Sequence, residues 1–198
     1  MSKLRALVAL VVLSAASLAA PAARAADLKI GAPAPDFTLP AASDGKAIAL
    51  KDLLAKNKAV AVVFIATKCP VSNAYNTRMA ALGKEYVAKG VFLVGINSNK
   101  TEPAAEVKEH AEKHGFTFPV VKDDGNKVAD AYGAAKTPEV FVLDPKGILL
   151  YHGRIDESQD DARNVRSPDL RNALEAILAG KPVPTAETKA FGCTIKRV

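Results

Sequence analysis

The sequence predicts an α/β domain with a central mixed β-sheet flanked by helices, and with an N-terminal β-hairpin extension. Three observations carry this expectation. Residues 59–66, AVAVVFIA, and residues 91–96, VFLVGI, are apolar runs without alternation, as in strands buried on both faces. Between them, residues 70–88 place Ala74, Met79, Leu82 and Tyr86 near helical spacing, and Gly90 punctuates the end. Further on, Val140–Leu143 and Ile148–Tyr151 flank Asp144-Pro145-Lys146-Gly147, a turn with Pro second and Gly fourth, so they pair as an antiparallel hairpin. Buried strand, helix, buried strand, helix and then a hairpin and helix describe a mixed sheet covered on both faces.

The chain opens with Lys3 and Arg5, an apolar stretch Leu7–Leu18, and the small-x-small site Ala23-Arg24-Ala25. The stretch is shorter than the roughly 20 residues a bilayer requires. Residues 1–25 therefore read as a secretory signal peptide, with the mature chain periplasmic or secreted. Next, Asp36–Leu39 and Ala47–Leu50 form the hairpin around Ser43-Asp44-Gly45, and Leu50–Ala55 is a brief helix. Lys58–Ala66 is the central strand, Pro70–Ala88 a helix, and Val91–Ile96 the second buried strand. Glu102–His114 is a mostly polar helix with Pro103 in its first turn and Gly115 as its stop. Asn126–Tyr132 is a shorter helix, Ser158–Arg166 a polar loop, and Pro168–Leu178 a last amphipathic helix closed by Gly180. Residues 26–180 make one domain, and residues 181–198, with Pro182, Pro184 and no apolar period, an extended C-terminal tail.

Removal of residues 1–25 lowers the formal net charge from +6 to +3, because Lys3, Arg5 and Arg24 go and no acid does. That gives no case for a nucleic-acid partner, and no further apolar span argues for a membrane once the signal is cleaved. His110 and His114 have metal-ligand spacing, but EVKEHAEKH supplies no third ligand and reads as a solvated face. No metal and no cofactor is expected.

The chain has two cysteines, Cys69 and Cys193. Pro70 suits the first helical position, which makes Cys69 the N-cap at the carboxyl end of a central strand, the edge where α/β sheets place their sites. A thiolate there can accept the N–H groups of Val71 and Ser72, faces the positive end of the helix, and has Lys68 beside it. Each of these favours the nucleophilic form, whereas an inert core cysteine would sit more naturally inside the apolar run.

FIATKCPVS, then KTPE leading into VFVLDPKGILLYHG, resemble the thioredoxin superfamily. The hairpin GAPAPDFTLPAASDGKAIALKDL is similar to its redoxin branch, and CPVSNAYNTRM, GINSN and FGCTIK to exported peroxiredoxin-like proteins related to alkyl hydroperoxide reductase and thiol-specific antioxidant. The resemblance covers roughly residues 29–198. It implies a thioredoxin-like fold, a cis Thr137–Pro138 peptide beside Cys69, and a site supported by Thr67, Lys68, Pro70, Ser72, Thr137 and Pro138. Three departures stand out. Ser72 replaces the second sulfur of a Cys-x-x-Cys pair, and Val62 and Ala66 occupy the places of the Pro and Thr of peroxiredoxins. Their Arg is missing too, which leaves Thr67, Ser72, Asn73 or Arg154 to hold a peroxide.

Cys193 is the remaining partner for Cys69. From Gly180 the tail can span about 45 Å, against about 40 Å across a domain of this length. Cys193 is then either a resolving thiol or half of a structural staple, worth about 5 kcal/mol for so long a loop in the chain-entropy treatment. Gly192 eases the close approach. Asn97, Ser98 and Asn99 lie at the same sheet edge, and His152 is a weaker acid–base candidate. The leading expectation is a thiol peroxidase in which Cys69 attacks the O–O bond and Cys193 condenses with the sulfenic acid. A thiol-disulfide oxidoreductase acting on protein disulfides comes second. A redox-inert module, stapled or binding copper(I), comes third. The partners are thus a peroxide or a protein disulfide, and an unidentified thiol electron donor.

Overall fold

The run AVAVVF is strand β3 (Ala59–Phe64), buried at every residue in the computed structural model, which describes residues 28–198. Its side chains feed two cores in turn. Ala59, Ala61 and Val63 pack with Met79, Leu82, Tyr86 and Leu174 on one face, and Val60, Val62 and Phe64 with Phe37, Leu50, Tyr132 and Phe141 on the other. A strand with apolar neighbours on both faces needs no alternation.

Around it the chain forms β1 (Thr38–Pro40) and β2 (Ala47–Ala49), an antiparallel hairpin, and α1 (Leu50–Leu54). After β3 come α2 (Pro70–Ala74), α3 (Asn76–Val87), β4 (Val91–Asn97), α4 (Ala104–Lys113), β5 (Val120–Lys122) and α5 (Lys127–Tyr132). Then follow β6 (Lys136–Thr137), β7 (Glu139–Leu143), β8 (Leu149–Gly153), α6 (Asp169–Leu178) and β9 (Cys193–Thr194). The main sheet has the order β5-β4-β3-β7-β8. β4 and β5 run parallel to their neighbours, and β7 and β8 antiparallel to theirs, which makes the sheet mixed as expected.

The single helix expected over Pro70–Ala88 is instead two. Tyr75 N–H donates to Ser72 O rather than one residue further back, which tightens the last turn of α2, and Met79 N–H starts a new ladder on Tyr75 O. The buried Tyr75 side chain explains the break: its hydroxyl donates to Asp156 O at 3.0 Å, and the Arg78 guanidinium lies 3.9 Å from its ring centroid. Strands β5, β6 and β9 have two or three residues each and leave no periodic signal. Within the loop read at Ser158–Arg166, Ala162–Asn164 is a single 3₁₀ turn. The signal-peptide reading falls on residues 1–25, outside the described residues.

The C-terminal segment is tied down at many points. Residues Ala186 and Thr188 pair with His152, and β9 pairs antiparallel with β6, Thr137 opposite Cys193. Beyond it, Lys196 N–H donates to Asn99 Oδ1 at 2.6 Å, and Arg197 Nε to Asp130 at 2.7 Å. Ile195 is 3% exposed and belongs to the second core. The extended tail read from the sequence is thus an added strand with a buried anchor. Ile195→Ala should lower the stability of the oxidised protein by about 2–5 kcal/mol, the usual cost of truncating a buried Ile, measured by urea unfolding. A loss under about 0.5 kcal/mol would mean that the segment is only laid on the surface.

Candidate active site

Beyond β3, Ile65 N–H still pairs with Ile96 O, and the chain then turns through Ala66–Lys68 to Cys69, the N-cap of α2. Cys69 is extended at φ −87° and ψ 117°, and Pro70 at the first helical position fixes the start. The Cys69 sulfur accepts Ser72 N–H at 3.3 Å, and Ser72 Oγ in turn accepts Ala66 N–H at 3.2 Å. Ser72 therefore fastens the turn at the place where a dithiol motif would carry sulfur.

Cys69 and Cys193 form a disulfide, with Cα atoms 5.9 Å apart and a separation of 124 positions in sequence. The Thr137–Pro138 peptide is cis, and Thr137 O lies 3.4 Å from the Cys69 sulfur. Gly192 passes over the same carbonyl at φ +137°, where a Cβ would come within 2.1 Å of Thr137 O, so only glycine fits. A cleft of about 310 Å³ opens on the pair, walled by Ala66, Lys68, Thr101, Glu102, Thr194 and Lys196.

Two buried carboxylates hold the turns on either side of the disulfide. Glu102, 2% exposed, accepts Thr67 N–H at 2.9 Å, Lys68 N–H at 3.0 Å and Asn97 Nδ2 at 2.6 Å. Glu139 accepts Ala135 and Lys136 N–H at 2.8 Å each, and His152 Nε2 lies 2.8 Å from its other oxygen. Burial pushes the Glu139 carboxyl up, but the donors from His152, Lys136 and Ala135 outweigh it and hold the group below its ordinary value.

Residues 30–152 match the AhpC/TSA family. The chain belongs to that family. It is an oxidoreductase of thioredoxin-like fold. Among its relatives is the thiol-disulfide oxidoreductase ResA of Bacillus subtilis (strain 168), 33% identical over 141 residues, which are 70% of this chain and 76% of that protein. A hypothetical protein from Sinorhizobium meliloti 1021 has a crystal structure similar at TM-score 0.80 and 35% identity, over 86% of this chain and 95% of that one. Peroxidoxin BcpB from Mycobacterium tuberculosis shares the fold at TM-score 0.62 and 24% identity, over 77% of this chain and 97% of that one.

On this redoxin frame, the residues named from sequence divide clearly. Cys69, Pro70, Ser72, Thr137, Pro138 and Cys193 come together. Lys68 does not serve the sulfur: its ammonium reaches Glu106 and Thr101 O, each at 2.9 Å. Thr67 Oγ1 donates to Glu106 at 2.5 Å, and Asn73 donates to Thr67 O at 2.9 Å. Of the two N–H groups expected at the sulfur, only that of Ser72 makes the bond. Arg154 is held by Asp169 at 2.6 Å and takes no part in the cleft wall. Asn97 supports Glu102, Ser98 donates to Asp123, and Asn99 binds the tail. His152 stacks on Phe141 and serves Glu139. His110 lies 3.1 Å from Asn76 Nδ2 and, mainly through burial, titrates below its ordinary value, so it is less solvated than read. Sequence reasoning missed Glu102 and Glu139. The second left a signal: a charged residue opening the otherwise apolar strand VFVL.

Two outcomes follow from this geometry. Because the folded Glu139 carboxyl sits below its ordinary value of 4.5, its contribution to stability is present above that pH and is lost as pH falls through the folded value. Glu139→Gln should therefore be less stable near neutrality and show a flatter acid limb, read from urea midpoints between about pH 6 and pH 3. Gly192→Ala should shift the closure equilibrium of the disulfide against a reference dithiol by about fivefold or more, as expected for overpacking of about 1–3 kcal/mol. An unchanged equilibrium would show that the backbone yields there.

Proposed function

We propose that the protein is a thiol-disulfide oxidoreductase acting on protein disulfides, with Cys69 as nucleophile and Cys193 as resolving thiol. The supporting observation is the Cys69–Cys193 disulfide itself, set at a helix N-cap with the Thr137 carbonyl beside it. In the reduced protein, the Cys69 thiolate attacks one sulfur of the substrate disulfide; that bond breaks and the departing sulfur takes up a proton. Cys193, as thiolate, then attacks the Cys69 sulfur of the mixed disulfide and expels the second substrate thiol. One dithiol and one disulfide have exchanged two electrons and two protons. A thiol donor restores the dithiol by the reverse chemistry.

This reading displaces the peroxidase that the sequence placed first. Peroxide chemistry needs donors that stabilise the departing oxygen. Here Val62 and Ala66 offer no side-chain donor, Arg154 is bound to Asp169, Lys68 and the Thr67 hydroxyl to Glu106, and the Asn73 amide to Thr67 O, while the buried Ser72 Oγ accepts Ala66 N–H. The named activity of the ResA relative points the same way.

Export completes the proposal. Residues 1–25 act as a signal peptide, residues 26–180 as the domain and residues 181–198 as the segment that delivers Cys193, in an oxidising compartment that requires a dedicated thiol donor. No helix among the described residues is long and apolar enough to cross a membrane.

Insulin reduction and hydrogen peroxide consumption, run side by side on wild type, Cys69→Ser and Cys193→Ser, test the assignment. Wild type should turn over the disulfide far faster than peroxide, Cys69→Ser should lose at least about a hundredfold, and Cys193→Ser should accumulate a mixed disulfide on Cys69. Fast peroxide turnover would restore the peroxidase reading. A disulfide that resists mild dithiols, with no turnover of either substrate, would make Cys193 a staple.

A further inference from the structure

Glu102 lies in the loop between β4 and α4, in a stretch, SNKTEP, that is otherwise polar and turn-like. Its side chain nevertheless points inward and takes three donors: the backbone N–H groups of Thr67 and Lys68 and the amide of Asn97. All three partners are donors, so the group they suit is an ionised carboxylate, which only accepts. Asn97 is itself fixed, with its Oδ1 receiving the Lys122 ammonium at 3.0 Å. A negative charge is thus built into the protein directly behind the turn that presents Cys69, and it lines the same cleft as both sulfurs.

We propose that Glu102 is a positioning residue for the thiol reaction that also restrains the Cys69 thiolate, keeping the reduced pair strongly reducing. The proposal rests on the reading of Cys69 as the reactive thiol. Two opposed effects meet at that sulfur. The Ser72 N–H stabilises its negative charge, and the Glu102 carboxylate, a like charge, disfavours it. The other titratable side chains of the cleft wall are exposed: Lys68 is neutralised by Glu106, and Lys196 stands at the solvent edge on the tail, opposite the buried Glu102. A thiolate made less stable shifts the dithiol–disulfide balance toward the disulfide and so lowers the potential of the pair.

The sign of the effect separates this role from a merely structural one. Glu102→Gln removes the charge while keeping the shape. If the carboxylate acts as charge, the Cys69 thiolate becomes easier to form. If Glu102 only holds the turn, loosening it weakens the Ser72 bond and the thiolate becomes harder to form.

The experiment compares Cys193→Ser with Cys193→Ser/Glu102→Gln, following iodoacetamide alkylation of Cys69 against pH. The expected result is a midpoint lower by about one unit in the Gln variant, about a tenfold larger thiolate fraction below the midpoint. The equilibrium of Glu102→Gln carrying both cysteines against a reference dithiol should move toward the reduced form by a similar factor. A midpoint that is unchanged or raised overturns the proposal and leaves the exchange reading standing. A Cys69 that shows no alkylation step at all in the Cys193→Ser parent takes down both. Should the Gln variant fail to fold, the Cys193→Ser parent labelled with [13C]glutamate provides the same test: the Glu102 carboxyl resonance should step at the Cys69 midpoint, because coupled sites report one another's titration. Its indifference to that midpoint overturns the proposal.

Discussion

Everything at this site depends on the need to satisfy backbone N–H groups where the central strand stops. β3 is buried on both faces, and the turn that leaves it stays buried at Ala66 and Thr67 before Lys68 emerges, so its amides need partners within the protein. Glu102 meets two of them, and Ser72 Oγ a third at Ala66. The facing turn repeats the solution, with Glu139 taking the amides of Ala135 and Lys136. The disulfide thus lies between two loops, each fixed by a buried carboxylate, Glu102 reaching in from a distant loop and Glu139 from the strand that follows its own turn. An unpaired buried amide costs about 1–3 kcal/mol, so these carboxylates keep the sulfurs in register as well as stabilise the fold.

The same arrangement explains why lysine matters less here than the sequence suggested. Lys68 adjoins Cys69 in the chain, yet its long side chain runs out to Glu106, which also takes the Thr67 hydroxyl and whose carboxyl those two contacts hold below its ordinary value. Neighbours in sequence at a strand-to-helix turn point in different directions. What the sulfur meets is the nearby Ser72 N–H together with Thr137 O and Cys193, the last two distant in sequence.

Much of the fold was legible because it is written in periodicity and punctuation. The continuous run at 59–66, the Cys-Pro start of a helix and the Asp-Pro-Lys-Gly turn each carry a local physical signal, and each element formed where that signal lay. The break at Tyr75 was not legible, since it depends on a hydroxyl reaching Asp156 eighty-one residues away. Nor were β6 and β9, whose two residues apiece are ordered by each other and by the disulfide. The bonded pair could be named because cysteines are few. The carboxylates could not, because a glutamate in a polar loop looks the same whether it faces water or the interior.

Under the proposed exchange, the anchoring of the final segment bears on how long a mixed disulfide can last. Dithiol motifs keep the second sulfur near by leaving only two intervening residues along the chain, so the rescuing thiol is always at hand. Here the two lie 124 positions apart, and a free tail would sample a wide volume. Ile195 in the core, Lys196 on Asn99 and Arg197 on Asp130 remove most of that volume without any covalent bond. They raise the effective concentration of one sulfur at the other, as a short tether does. Spacing along the chain has been replaced by docking, and in the proposed exchange the lifetime of a captured substrate would be set by how firmly the last few residues grip the domain.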